Sequence, residues 1–225
     1  MKKLAYLIVP SCLLATFIIW TVLVKTIDVH YIDGVGFLGF YSLNNQVNEF
    51  VNNLHNTTFK ILTDLLMVIA MLTVVPFLII GIIQLVTRKS LAKVDTILFA
   101  MLFAYVLMVT AYFSFEIVKI NYSPLSTAEN LKASYPSSHV LITTVMFGVA
   151  TFGLIHYVKM PTLVKVAINI AFVLLALAVT ALRLGSGQHY LTDIIGGVLL
   201  SVTILACFIS LNSYLNNLKK EENNN

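Results

Sequence analysis

The stretch Arg183-Leu184-Gly185-Ser186-Gly187-Gln188-His189-Tyr190-Leu191-Thr192-Asp193 separates two long apolar runs, one ending at Leu182 and one reaching Leu211. A guanidinium, an imidazole and a carboxylate are costly in hydrocarbon unless they face a polar cavity or one another. Between runs of membrane-spanning length they mark both a turn at a membrane edge and a candidate site. The spacing places His189 and Asp193 one turn apart on one face of a helix. A second polar stretch, Ala133-Ser134-Tyr135-Pro136-Ser137-Ser138-His139, opens another apolar run. The two stretches together hold two His, an Arg, an Asp and several Ser.

Composition supports the membrane setting. Of 225 residues, 59% are hydrophobic and 11% charged, against about 25% charged in soluble domains. Mean hydropathy is +0.91. These values predict one integral-membrane domain over residues 1–225, an all-α, six-span helical bundle. The net charge of +4 comes from loop lysines and does not indicate nucleic-acid binding. Cys12 and Cys207 lie inside apolar runs and read as packing residues.

The predicted spans are 4–24, 61–86, 96–118, 139–158, 164–182 and 190–211, with 212–225 a solvated, disordered cytoplasmic tail. Lys2-Lys3 and the run after it resemble a signal peptide. The run is about 20 residues with no small-x-small cleavage site after it, so it is expected to remain as a span. Thr26 to Lys60 is the longest polar interval. There Leu43, Val47, Phe50, Val51 and Leu54 recur at helical spacing, predicting an amphipathic helix that lies in the membrane interface or packs over the bundle's rim, two readings that are compatible. His30 and His55 are expected to be interfacial residues without chemistry, and the glycosylation patterns at Asn56 and Asn121 chance matches.

With six spans, Lys2, Lys3, Arg88, Lys89, Lys93, Lys159, Lys165, Lys219 and Lys220 fall on one side. Lys25, Lys60, Lys119, Lys132 and Arg183 fall on the other. The positive-inside rule then puts both termini in the cytoplasm and both polar stretches on the outer face. Two half-sites on opposite faces would never meet, so this common side is a condition for any shared chemistry.

These residues carry a family resemblance. Pro136-Ser137-Ser138-His139 resembles the Pro-Ser-Gly-His motif of the type 2 phosphatidic acid phosphatase superfamily, with Ser138 in the Gly position. Arg183, His189 and Asp193 match its Arg-x5-His-x3-Asp motif. The resemblance implies a membrane lipid phosphatase in a bacterial plasma membrane, working through a phospho-histidine. In that scheme His189 is the nucleophile, Asp193 accepts a hydrogen bond from its other nitrogen, and His139 is the general acid and base. Arg183 offers forked donors to phosphate oxygens. Ser137, Ser138 and His139 open a helix whose N–H groups form an anion site, with Pro136 suited to a helix start. No cofactor or metal is called for, and no metal-ligand spacing such as His-x3-His or Cys-x2-Cys is present.

The family's earlier motif, Lys-x6-Arg-Pro, is degenerate here. In Glu116-Ile117-Val118-Lys119-Ile120-Asn121-Tyr122-Ser123-Pro124 the Lys position holds Glu116 and the Arg position Ser123. A charge-assisted contact is worth ~1.5–3 kcal/mol, so both losses bear on phosphate binding. Lys119, three residues after Glu116, would share its face on a continuing helix and is the expected phosphate-binding substitute. Lys132 is another. Two classes of function follow. One is an active phosphatase acting on undecaprenyl diphosphate, phosphatidylglycerol phosphate or phosphatidate. The alternative is a weak or inactive protein that binds or transports lipid phosphates. A pore is disfavoured, because the polar residues gather at one face. Nothing in the sequence indicates the oligomeric state.

Overall fold

A computed structural model of the chain describes residues 2–52 and 57–223. Eight α-helices follow one another: α1 Lys2–Thr26, α2 Tyr41–Asn52, α3 Thr57–Leu72, α4 Val74–Arg88, α5 Thr96–Ile117, α6 Ser138–Tyr157, α7 Thr162–Gly185 and α8 Leu191–Asn223. A two-stranded antiparallel hairpin, β1 His30–Ile32 and β2 Gly36–Leu38, follows α1. Leu54, His55 and Asn56 lie outside the described residues.

Among the described residues six helical stretches are long and apolar enough to cross a bilayer, α3 and α4 together making one. The protein is therefore a multi-pass membrane bundle. The second span is broken at Thr73, whose N–H and hydroxyl both turn to the carbonyl of Ala70, at 3.0 and 2.6 Å. Pro76, in the first turn of α4, explains the break: it lacks the N–H that a continuous helix would use, and its ring crowds the carbonyl four residues back.

α8 is the central post, packed against α1, α5 and α6. Its buried face includes Leu200, Ile204 and Phe208, set against Val145 and Val149 of α6 and Ala100, Met101 and Ala104 of α5. α7 is far less enclosed, and many of its aliphatic side chains face outward, as lipid-facing residues do. Two glycines permit close approach. A Cβ on Gly197 would stand 2.9 Å from the carbonyl oxygen of Ser137, and one on Gly196 would stand 2.6 Å from the Tyr135 ring. Tyr135 is buried there, its hydroxyl 2.7 Å from Thr21 Oγ1 and its ring against Phe17 and Phe115. The second polar stretch is thus seated directly on α8.

The amphipathic helix forms as α2, but a polar residue docks it. Asn44 is wholly buried and donates to the carbonyl of Gly39 and to Thr192 Oγ1, at 2.8 and 2.9 Å. Val51 is buried, whereas Leu43 and Phe50 of the same apolar stripe face outward. An interfacial helix tied to the bundle's rim has this character.

Two expectations need correction. Residues 212–223 are not a disordered tail. α8 continues to Asn223, fastened by Thr96 Oγ1 to Asn216 Oδ1 at 2.5 Å, by Lys219 Nζ to the carbonyl of Val94 at 3.0 Å, and by an Asn217–Tyr6 hydrogen bond. Nor does the fifth span stop short of Arg183, which lies in the last turn of α7.

The loop-charge asymmetry yields a topology test. Cysteines placed at the exposed positions Glu129 and Lys89, in a background without Cys12 and Cys207, sit at opposite ends of the bundle. An impermeant thiol reagent on intact cells should modify Glu129→Cys and spare Lys89→Cys until the cells are opened. The reverse pattern would invert the assigned orientation.

Candidate active site

The two polar stretches meet at one end of the bundle. The joint is a backbone hydrogen bond from the Ser137 N–H to the carbonyl of Asp193, 3.0 Å long. Asp193 opens α8 in a reciprocal cap: its Oδ2 accepts from the Tyr190 N–H at 3.0 Å, and its own N–H donates to the Tyr190 carbonyl at 3.1 Å. Its other oxygen accepts from Asn121 Nδ2 at 3.1 Å, and the residue has no exposed surface.

This arrangement changes the role expected for Asp193. The His189 Nδ1 is 3.9 Å from Asp193 Oδ2, too far for a hydrogen bond. It is instead 2.9 Å from the backbone carbonyl of Ser134. A carbonyl only accepts, so Nδ1 carries the proton and Nε2 keeps its lone pair. Ser134 therefore fixes the ring, while Asp193 shapes the turn that presents it. Burial, with the positive charges of Arg183 and His139 nearby, pushes the His189 imidazole down to about 3. The ring is accordingly neutral at physiological pH, the form in which it is a nucleophile.

His139 lies in the first turn of α6, its Nε2 2.8 Å from Asp64 Oδ1 and its Nδ1 buried. Arg183 is 5% exposed. Its guanidinium donates to Thr63 Oγ1 at 3.4 Å and stands 3.6 Å from Asp64 Oδ1. Five buried polar atoms in this region have no protein partner among the described residues: Arg183 Nε, His139 Nδ1, Ser137 Oγ, Ser134 Oγ and Asn121 Oδ1. Buried polar groups are rarely left unpaired without a reason, and a tetrahedral oxyanion would satisfy donors such as Arg183 Nε and the Ser137 hydroxyl. Ser138 lines a narrow cleft with Glu116, Tyr135 and His189.

The structure thus gathers His139, Arg183, His189, Asp193, Ser137 and Ser138. Ser137's N–H, expected to face an anion, is already engaged by Asp193, so its free hydroxyl and the N–H groups after it are the donors left at this helix end. Lys119 is not gathered. α5 ends at Ile117, so the helical continuation that would have put Lys119 beside Glu116 does not exist, and the side chain is exposed, with no hydrogen bond or ion pair among the described residues. Lys132 is exposed as well. Ser123 donates to the carbonyl of Gln188 at 2.8 Å, bracing the turn where a clamping cation was expected.

Residues 113–217 match the model of the PAP2 superfamily, a region that contains both polar stretches. Over those residues the chain is similar to the PAP2 superfamily. The chain is also similar in fold to the first transmembrane PAP2 type phosphatidylglycerolphosphate phosphatase from Bacillus subtilis, known from its crystal structure. The TM-score is 0.59 at 17% identity, over 94% of this chain and 96% of that one. A search of curated proteins gives no match.

Sequence reasoning missed Asp64, Thr63, Asn121 and Ser134. Asp64 had a signal, being an acidic residue inside an apolar run. Asn121 and Ser134 had none, since an amide and a backbone carbonyl carry no spacing pattern.

The bracing of Asp193 can be tested. Asn121→Leu removes the partner of one buried carboxylate oxygen and should destabilise the detergent-solubilised protein by about 1–3 kcal/mol, read as a lower Tm. Lys119→Ala should change neither Tm nor any phosphate-dependent property.

Proposed function

We propose that this protein is a membrane lipid phosphatase that cleaves a phosphomonoester or diphosphate headgroup through a phospho-histidine. The observation that carries this is the state of His189: neutral, held at Nδ1 by the Ser134 carbonyl, with Nε2 unprotonated beside Arg183 and His139. A fixed, neutral imidazole next to unpaired anion donors is the arrangement that nucleophilic phosphoryl transfer requires.

In the first step the Nε2 lone pair attacks phosphorus. The bond from phosphorus to the lipid oxygen breaks, and that oxygen takes a proton from His139. In the second step water attacks the phospho-histidine, giving a proton to His139. The P–N bond breaks, and phosphate leaves with His189 neutral again. Arg183, the Ser137 hydroxyl and the α6 N-terminus stabilise charge on the phosphoryl oxygens. No step calls on a metal or another cofactor.

The position of the site at the bundle's end suits a lipid whose headgroup enters while its chains stay in the bilayer. Undecaprenyl diphosphate, phosphatidylglycerol phosphate and phosphatidate are the candidate substrates. We place both termini in the cytoplasm of a bacterial cell and the site on the outer face, on loop charge. The alternative, a protein that binds lipid phosphates without turning them over, draws on Glu116, a carboxylate lining the cleft beside His189, and on Ser123, whose hydroxyl is spent on Gln188.

Phosphate release by the purified protein, measured on these lipids with chelator present, decides between the two. The expected result is turnover that survives chelation and disappears in His189→Ala together with the phospho-enzyme. His139→Ala should slow lipid hydrolysis by about 10²–10⁴-fold and hydrolysis of an aryl phosphate, which has a good leaving group, much less. Lipid-phosphate binding with no turnover above the His189→Ala level would establish the binding protein instead.

A further inference from the structure

The hairpin between α1 and α2 has two unlike faces. Strand residues alternate across a sheet, and the register pairs Tyr31 with Phe37, His30 with Leu38 and Ile32 with Gly36. The face holding Gly36 and Leu38 lies on the protein. Leu38 is buried, and a Cβ on Gly36 would stand 3.0 Å from the Tyr122 ring. At the tip, a Cβ on Gly34 would stand 2.8 Å from Ala128 Cβ, so the hairpin rests on the segment after α5. The other face carries Tyr31 and Phe37. Their rings pair edge to face with centroids 5.2 Å apart, yet they are 61% and 64% exposed. Two aromatic rings held together and turned outward mark a contact surface.

The height of the hairpin identifies what that surface meets. The chain does not rise away from α1. The N–H groups of Phe40 and Tyr41 return to the carbonyls of Ile27 and Asp28, at 2.8 and 2.9 Å. Gly39 lies so close to the Val24 carbonyl that no Cβ would fit, and the Phe40 ring stacks on Trp20 with centroids 5.5 Å apart. Trp20 and Val24 both belong to the first span, Tyr6–Thr26. Phe37 is two residues from Gly39, so its Cα lies within about 7 Å of that contact. The headgroup zone is about 5–8 Å deep on each side of a ~30 Å core. The lipid-facing surface of α1 also continues through Val22, Ile27 and Val29, all exposed, into Tyr31.

We infer that Tyr31 and Phe37 insert into the lipid headgroup zone and make the hairpin a membrane anchor. A ring with a polar tip, such as Tyr31, sits well at that depth, and Phe37 adds apolar area beside it. Insertion, not charge, holds the anchor: residues 27–40 include Asp28 and Asp33 and no Lys or Arg, so an anionic surface offers them no attraction. The anchor is coupled to the polar end of the bundle. His30 stacks on Tyr41 at the start of α2, with centroids 4.4 Å apart, and Asn44 of the same helix bonds Thr192, the neighbour of Asp193.

The test uses the full-length protein in phosphatidylcholine nanodiscs. Trp20 is the single tryptophan, so Tyr31→Trp and Phe37→Trp each add one emitter that is read as the difference from the parent. The added emission should be lost to a nitroxide lipid labelled near the glycerol end, lost less to one labelled at the chain end, and sheltered from aqueous acrylamide. High salt should change none of this. Strong acrylamide quenching with no effect of either nitroxide lipid would overturn the anchor, because the rings would then face water. Quenching by neither kind of reagent would also overturn it, since protein would then cover the rings. Release by salt would refute insertion as its basis. Should the tryptophan variants fail to elute as monodisperse species, a nitroxide on Phe37→Cys, in a background without Cys12 and Cys207, gives the same reading. Protection from a water-soluble nickel complex supports the anchor there, and access as free as in water refutes it.

Discussion

A carboxylate with no exposed surface is tolerated in an apolar bundle only when its oxygens are paired. Asp193 meets that demand with the Tyr190 N–H and the Asn121 amide. Both partners are consequential. The first closes the cap that starts α8, and the second draws the segment after α5 across the end of the bundle. The Asp193 carbonyl meanwhile receives the Ser137 N–H, which sets the start of α6 against the same turn. Three separate pieces of chain are registered by one residue, and the position of His189 follows from them.

The same economy explains where the polarity lies. Charged and hydrogen-bonding side chains from α3, α6, α7 and α8 converge at one end, and much of the remaining surface is aliphatic. Lipid solvates that surface without cost, so the bundle can leave Leu163, Leu174, Leu177 and Val173 of α7 exposed. Interhelical fit depends instead on small residues, as where Gly196 and Gly197 admit Tyr135 and the Ser137 carbonyl.

Much of this was legible in the sequence. Span number follows from hydropathy, because solvent alone dictates it, and the histidines, Arg183 and Asp193 stand out because charge is rare in such runs. What escaped had other causes. The partner of His139 is Asp64, 75 residues earlier in the chain, and helix-to-helix packing at that distance leaves no local trace. Ser134 holds His189 through its backbone, so its side chain says nothing. Lys119 misled because α5 ends at Ile117, two residues before it. The hairpin at residues 30–38 did have a signal, Asp33-Gly34 between apolar strands, a pairing suited to tight turns. The helical end of α8 was hidden by composition: Asn and Lys look unstructured until Thr96, Val94 and Tyr6 provide anchors.

α8 has 33 residues. At 1.5 Å per residue that is about 50 Å, well beyond a hydrocarbon core of ~30 Å. Because its far portion is pinned to α1 and to the turn before α5, it is a stiff spar rather than a tether. A fluorophore or spin label carried on its last turns would keep a fixed height and bearing relative to the bilayer. Such a reporter would read the tilt of the rod that begins at Asp193, some fifty ångströms away.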